Sequence, residues 1–188
     1  GVIDSTGFNG IDRLDSREGY ILTNCVSCCE MCNMMKGCVH PTIFIHRAEH
    51  ILTHLSICSG KLYPEDFNDT KNVNYTSYKN SAKQRNIPFE ITKEYFDNKI
   101  KEPCYLCGKL PSSIHKNGID RVDNSQGYNE INCKSCCNNC NMLKKNYEYT
   151  HIIDKCKLIY DNHVSQQTVE EPEKVIETQE KQFIVPSN

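Results

Sequence analysis

Two thiol pairs carry the chemistry most legible in this chain. Cys104-Tyr-Leu-Cys107 is followed by Gly108, and Cys137-Asn-Asn-Cys140 is followed by Asn141. Two residues between thiols is the spacing of a metal knuckle, and two such pairs supply a tetrahedral site for zinc, which favours sulfur ligands. Cys133-Lys-Ser-Cys136 has the same spacing, so spacing alone leaves two partners open for the first pair. The chain holds 13 Cys, an odd number clustered in knuckles, which points to metal rather than a disulfide framework. No long apolar run reads as a signal peptide or a membrane span, so a reducing cytoplasmic or nuclear setting is expected, with no membrane partner.

These thiols lie in a stretch that occurs twice. Asn117–Lys144 reads NGIDRVDNSQGYNEINCKSCCNNCNMLK, and Asn9–Lys36 reads NGIDRLDSREGYILTNCVSCCEMCNMMK, offset by 108 positions. Identity over more than half of the stretch identifies a duplicated module. Cys29 and Cys32 of the first copy match Cys137 and Cys140. The equivalents of Cys104 and Cys107 would fall ahead of Gly1, so either the sequence starts inside a module or copy one takes other ligands, with Cys38 and His40 ahead of Cys25 and Cys28.

The elements that must position these residues are short. With 188 residues, 38% hydrophobic content, no Trp and a mean hydropathy of −0.61, the chain suits two small metal-stapled domains better than one large core. Within each copy the alternation around Ile-Asp-Arg suits a strand, Asn124–Tyr128 is turn chemistry, residues 128–132 can return as a second strand, and 137–145 has the length of a helix. Asn24 and Asn132 read as turn residues. Residues 41–55 form a helix after copy one, with His46, His50 and His54 on what reads as a solvated face. The expected division is a first module at 1–58, a linker at 59–74, a second module at 75–163 with a basic helix ahead of it, and a disordered acidic tail at 164–188. That basic helix carries Lys79, Lys83 and Arg85. Thr92 then caps another helix, with Ile91 and Phe96 spaced as a hydrophobic staple. The net charge of −2 decides nothing about nucleic acid, but the basic segment from Lys71 to Lys109 suggests phosphate contacts.

The order Tyr75, Tyr78, Ala82, Arg85, Thr92, Phe96, Cys104-x-x-Cys107-Gly, Gly118-Ile-Asp-Arg, Gly-Tyr, Cys-Cys-x-x-Cys-Asn resembles zinc-containing HNH-type nucleases of phages and giant DNA viruses, and the related phage Holliday-junction resolvases of ββα-metal fold. The resemblance implies an α+β fold of small zinc-stapled ββα-metal modules in tandem with flanking helices, a viral origin and a nucleic-acid partner, DNA first. It assigns structural zinc to Cys104, Cys107, Cys137 and Cys140, since in the family the Asn of the catalytic site directly follows the last zinc thiol. It further implies a catalytic Mg²⁺ or Mn²⁺ held by Asp120 and Asn141, and by Asp12 and Asn33 in copy one. The family's general base, a His, is replaced by Arg121 and Arg13, which cannot accept a proton but can clamp a phosphate. Asp123, His115 or a metal-bound hydroxide would have to substitute.

Three functions stay open on the sequence: a metal-dependent endonuclease, a zinc-stapled nucleic-acid-binding module without hydrolysis, and a protein-interaction scaffold docking through the acidic tail. Asp120 and Arg121 also suit a salt-bridged strand pair bracing the loop to Gly127.

Overall fold

A computed structural model describes residues 8–170. Each copy forms a two-stranded antiparallel hairpin followed by a short helix: β1 (Gly10–Arg13), β2 (Cys25–Cys28) and α1 (Glu30–Lys36) in the first. Helix α2 (Pro41–His54) follows copy one. Helices α3 (Tyr75–Gln84) and α4 (Lys93–Lys99) precede β3 (Gly118–Arg121), β4 (Cys133–Cys136) and α5 (Asn138–Lys144), and α6 (Tyr149–Glu170) closes the described chain. The two hairpins share one register. Gly10 faces Cys28 and Arg13 faces Cys25, as Gly118 faces Cys136 and Arg121 faces Cys133. The fold is therefore mixed, helices with small antiparallel sheets.

The second strand lies at Cys133–Cys136, not at the expected 128–132. Tyr128 pairs outside the hairpin, its N–H donating to Pro88 O at 2.8 Å and its carbonyl accepting from Glu90 N at 2.8 Å. The connection is held closed by Asn132, whose Oδ1 accepts from Asp123 N while its Nδ2 donates to Asp123 O and Gly127 O. Asn24 repeats all three bonds with Asp15 and Gly19. One buried amide with every group satisfied explains an Asn at this place in both copies.

The cap expected at Thr92 is present, and Asn74 caps α3 in the same way. Asn74 Oδ1 accepts from Ser77 N and Thr92 Oγ1 from Tyr95 N, satisfying first-turn N–H groups of α3 and α4. Ile91 and Phe96 are both buried, as a hydrophobic staple requires. They join Ala82, Ile100, Ile119, Tyr128 and Cys133 in a core between α3, α4 and the second hairpin.

A larger core joins the copies. Met35, Phe44, Ile51, Leu52, Phe67, Leu106, Leu143 and Ile152 pack together with the thiols of the second copy, and α2 lies against α6. The segment expected as a linker contributes to it: Pro64–Phe67 is a 3₁₀ turn whose Phe67 is buried. This return of the chain covers His46 and His50 on the face of α2 expected to be solvated, whereas His54 is exposed as expected. His50 is buried, and His46 stacks on Tyr63 with ring centroids 3.9 Å apart while bonding Asp66 at 2.9 Å. Helix α6 runs on through residues 164–170, where disorder is expected from composition; the remaining acidic tail, 171–188, lies outside the described residues. Among the described residues no helix is long and apolar enough to cross a membrane.

Candidate metal centre and basic pocket

The Cys104 turn and the start of α5 bring four thiols together. The sulfurs of Cys104, Cys107, Cys137 and Cys140 all lie within 4.8 Å of one another, and all four residues are buried. Zinc–sulfur bonds of about 2.3 Å in a tetrahedron place sulfurs about 3.8 Å apart. Cys107 Sγ and Cys137 Sγ stand at 3.6 Å. The donor set and spacing fit zinc, which when bound supplies folding free energy and a sink for thiolate charge. Burial pushes the Cys140 thiol well above its ordinary range, and Cys104 beside it does the same to Cys107. Cys104 is held far below that range by hydrogen bonds from Cys107, Cys136, Cys137 and Cys140. One thiolate is thus favoured at the expense of its neighbours, and a divalent cation relieves that competition.

The backbone around the thiols is fixed independently. Gly108 has φ of +71° and closes the turn by donating to Cys104 O at 2.8 Å; a Cβ there would also strike the His54 ring. His50 accepts from Tyr63 N–H at Nδ1, so Nε2 carries the proton and donates to Cys107 O at 3.0 Å. Asn117 ties Glu102 O and Lys109 O together, flanking the same turn. Cys137 Sγ accepts from Cys140 N–H at 3.4 Å, setting the first turn of α5. The competing pair separates: Cys133 goes to the α3–α4 core, and Cys136 lies beside the cluster outside the four-thiol set.

In copy one, Cys32 is raised mainly by a hydrogen bond with Cys28, and also by Cys29, so these three thiols adjoin. Cys38 is exposed, and His40 caps α2 by accepting from Thr42 N at 3.3 Å. Among the described residues no second group of three ligands gathers at the spacing of the four-thiol site.

The structure gives Asp120 a partner that sequence reasoning passed over. Lys144 is fully buried, its Nζ 3.4 Å from a carboxylate oxygen of Asp120 and 3.0 Å from Arg121 O. Tyr105 donates to Asp120 Oδ2 at 2.8 Å. Burial raises the Asp120 pKa against the lowering influence of Lys144 and Tyr105. Copy one repeats the pair, Lys36 Nζ lying 3.1 Å from Asp12 Oδ1 and 3.0 Å from Arg13 O. The signal was available: Lys closes the duplicated stretch in both copies.

Arg121 is not the partner of Asp120. Its Nη1 donates to Asn124 O at 3.0 Å and Gln126 O at 2.5 Å, and its guanidinium lies over the Tyr128 ring. Arg13 does the same with Glu18 O and Tyr20. The bracing of the loop expected of an Asp–Arg pair is performed by Arg through carbonyls. His115 is buried, facing Asn117 and Lys71 N, and Asp123 is occupied by Ser125 and Gln126, so neither is aimed at Asp120.

Asp120, Arg121 and Asn141 do share a pocket of about 450 Å³ with Lys71, Arg85 and Tyr78. The Asn141 side-chain amide makes no hydrogen bond to another described residue, while its backbone N–H donates to Cys137 O at 3.0 Å. Lys71 Nζ donates to Asn138 Oδ1 at 2.9 Å, and Arg85 to Ser81 O and Tyr128 Oη. The three cations lean on neutral acceptors, while the one carboxylate is matched by Lys144.

No protein-family model matches the chain. It is 38% identical over 151 residues to the uncharacterized protein R423 of Acanthamoeba polyphaga mimivirus, a viral relative; the match covers 80% of this chain and 28% of that protein, so the chain spans less than a third of its length. Among solved structures it is similar to the rare-cutting HNH restriction endonuclease PacI, described for its perturbation of DNA, at 18% identity and a TM-score of 0.36, over 58% of this chain and 94% of that one.

Proposed function

We propose that this chain is a zinc-stapled nucleic-acid-binding module that seats a backbone phosphate between Lys71, Arg85 and Arg121. The observation that carries the reading is the charge balance of the pocket. Three cations line it with only neutral hydrogen-bond partners, and Asp120 is matched by a buried ammonium that solvent does not reach. The surplus positive charge suits a phosphodiester, which offers two anionic oxygens to guanidinium forks. Zinc on Cys104, Cys107, Cys137 and Cys140 holds the hairpin, the turn and α5 in the arrangement that shapes this pocket.

DNA is the first ligand to test. Fluorescence polarisation of a labelled duplex against Lys71→Ala and Arg85→Ala should show weaker binding on every sequence, each variant reducing the slope of log affinity against log salt by about 1. Unchanged slopes in both variants would reject the pocket as the phosphate site.

A second reading, metal-dependent endonuclease of HNH type, is favoured by one observation: the unengaged Asn141 amide in the same pocket as Asp120. It requires Asp120 to exchange the Lys144 ammonium for a divalent ion. Supercoiled plasmid incubated with Mg²⁺ or Mn²⁺ tests it, with Arg121→His supplying the missing base. Nicking that appears or rises in Arg121→His and disappears in Asn141→Ala supports hydrolysis, whereas binding without nicking in both proteins leaves the binding module.

A further inference from the structure

Arg47 is a buried cation that no anionic side chain meets. It is 8% exposed, its Nε and Nη2 donate to Asp66 O at 2.8 and 2.7 Å, and its guanidinium lies over the Phe67 ring. Among the described residues it makes no ion pair with a carboxylate. The acidic groups around it are engaged elsewhere: the Asp66 carboxylate with His46, and Asp69 with Lys109 and the first turn of α5. A guanidinium keeps its proton at any working pH, and a buried charge needs a counter-charge.

The thiol cluster of copy two supplies one. Phe67 packs in the same core as Cys137 and Cys140, and His50, one turn further along α2, donates to Cys107 O. Burial lowers the Arg47 pKa, and the group that most opposes the lowering is Cys140, ahead of Asp66 and Cys137. Four thiolates outweigh one Zn²⁺ by two charges, so the loaded site is a buried anion.

The repeat gives a second, independent observation. Its offset of 108 positions carries α2 onto the start of α6, placing Thr42 on Thr150, Ile45 on Ile153, Ile51 on Ile159 and Arg47 on Lys155. Lys155 Nζ lies 4.0 Å from Cys29 Sγ, and Cys29 is the copy-one equivalent of Cys137. Among the described residues Lys155 likewise makes no ion pair with a carboxylate. Arg and Lys differ in shape and in hydrogen-bonding geometry but share the charge. The closing helix of each copy thus turns a cation toward the thiols of the other.

We infer that Arg47 is the counter-charge of the metal centre in copy two, supplied by the helix that closes copy one, and that it sets how tightly that centre holds zinc. Zinc binding and the seating of α2 on copy two then favour one another, because each removes the other's uncompensated charge.

The test uses the full chain, with zinc affinity read by chelator competition. Arg47→Met removes the charge, keeps an apolar stem, and should weaken zinc about 10–100-fold. Arg47→Lys keeps the charge without the fork to Asp66 O and should recover most of that loss. With Co²⁺ in place of zinc, the thiolate-to-metal charge-transfer band should move to longer wavelength in Arg47→Met and hold its place in Arg47→Lys, because a nearby cation stabilises electrons on sulfur. Asp66→Asn leaves the guanidinium and its carbonyl acceptor in place and should not change zinc affinity. Unchanged affinity in Arg47→Met overturns the inference. So does Arg47→Lys as weak as Arg47→Met, which makes Arg47 only a brace for the Pro64–Phe67 turn, or an equal loss in Asp66→Asn, which makes Asp66 the counter-charge. Should Arg47→Met fail to fold, the other two variants decide: both should hold zinc, and a loss of about 10-fold or more in either overturns the inference.

Discussion

Lys144→Met is the most informative single change, because it removes one partner of a buried ion pair and leaves the other in place. The ammonium lies 3.4 Å from the Asp120 carboxylate, with side chains 0% and 4% exposed. At an effective dielectric of about 20, that separation corresponds to a gross attraction of about 5 kcal/mol. Most of this is offset by desolvating two ions, so the pair adds little over a well-packed apolar substitute, but deleting one partner should cost about 3–5 kcal/mol. Asp120 would keep only the Tyr105 hydroxyl and would escape the penalty by taking up a proton. Its folded-state pKa is already raised by burial. A carboxyl with a raised folded-state pKa favours folding fully below its unfolded pKa and loses that contribution as pH rises through the folded value. Loss of the ammonium pushes that value higher, so the penalty should be small in acid and full near neutrality. Urea unfolding of zinc-saturated protein would read a midpoint lowered by about 1–5 M for a slope of about 1–3 kcal/mol per M. Asp120→Asn in the Lys144→Met background should recover at least half of the loss. A penalty under about 1 kcal/mol, or strictly additive single changes, would refute the reasoning.

Further changes probe the metal centre and the packing around it. Cys137→Ser should abolish tight zinc binding and unfold the second copy, since structural zinc contributes on the order of 10 kcal/mol, whereas Cys133→Ser should keep the metal; retention and loss in the opposite order, read by elemental analysis and circular dichroism, would reject the ligand set. The same analysis should return one zinc per chain from residues 8–170, in place of the two expected from the duplication. His50→Phe strands Tyr63 N–H and Cys107 O and should weaken zinc about 10–100-fold in a chelator competition, as loss of an outer-shell partner does. Tyr78→Phe leaves the Ile119 N–H unpaired under the α3–α4 core and should cost about 1–3 kcal/mol in thermal unfolding.

The thiol knuckles were legible in the chain because a knuckle is local, Cys-x-x-Cys and a following Gly specifying a turn whatever surrounds them, whereas spacing left Cys133–Cys136 and Cys137–Cys140 open as partners of the first pair and only the family resemblance chose the later one. The cap at Thr92 was legible for the same reason. The second strand was not, because its pattern, Cys-Lys-Ser-Cys, has little strand propensity and is paired only through its register with Gly118–Arg121. The covering of His46 and His50 was not legible because periodicity shows which residues share a face and not what returns to cover it; Tyr63 and Phe67 lie beyond the helix. Asp120 was correctly singled out as charged and central, but its partner stands 24 positions away at the far end of the module. Only the repetition of that Lys in both copies marks it.

The contact between α2 and α6 decides what kind of repeat this is. In an open solenoid each unit shows its neighbour a fresh face, and copies can be added without limit. Here each closing helix lies against the other, so these two units terminate one another like a clasp. A hydrophobic substitution error at Ile152 would be felt at Ile51 and Leu52 in the other half. The two halves therefore share one core, and neither can move away without exposing it.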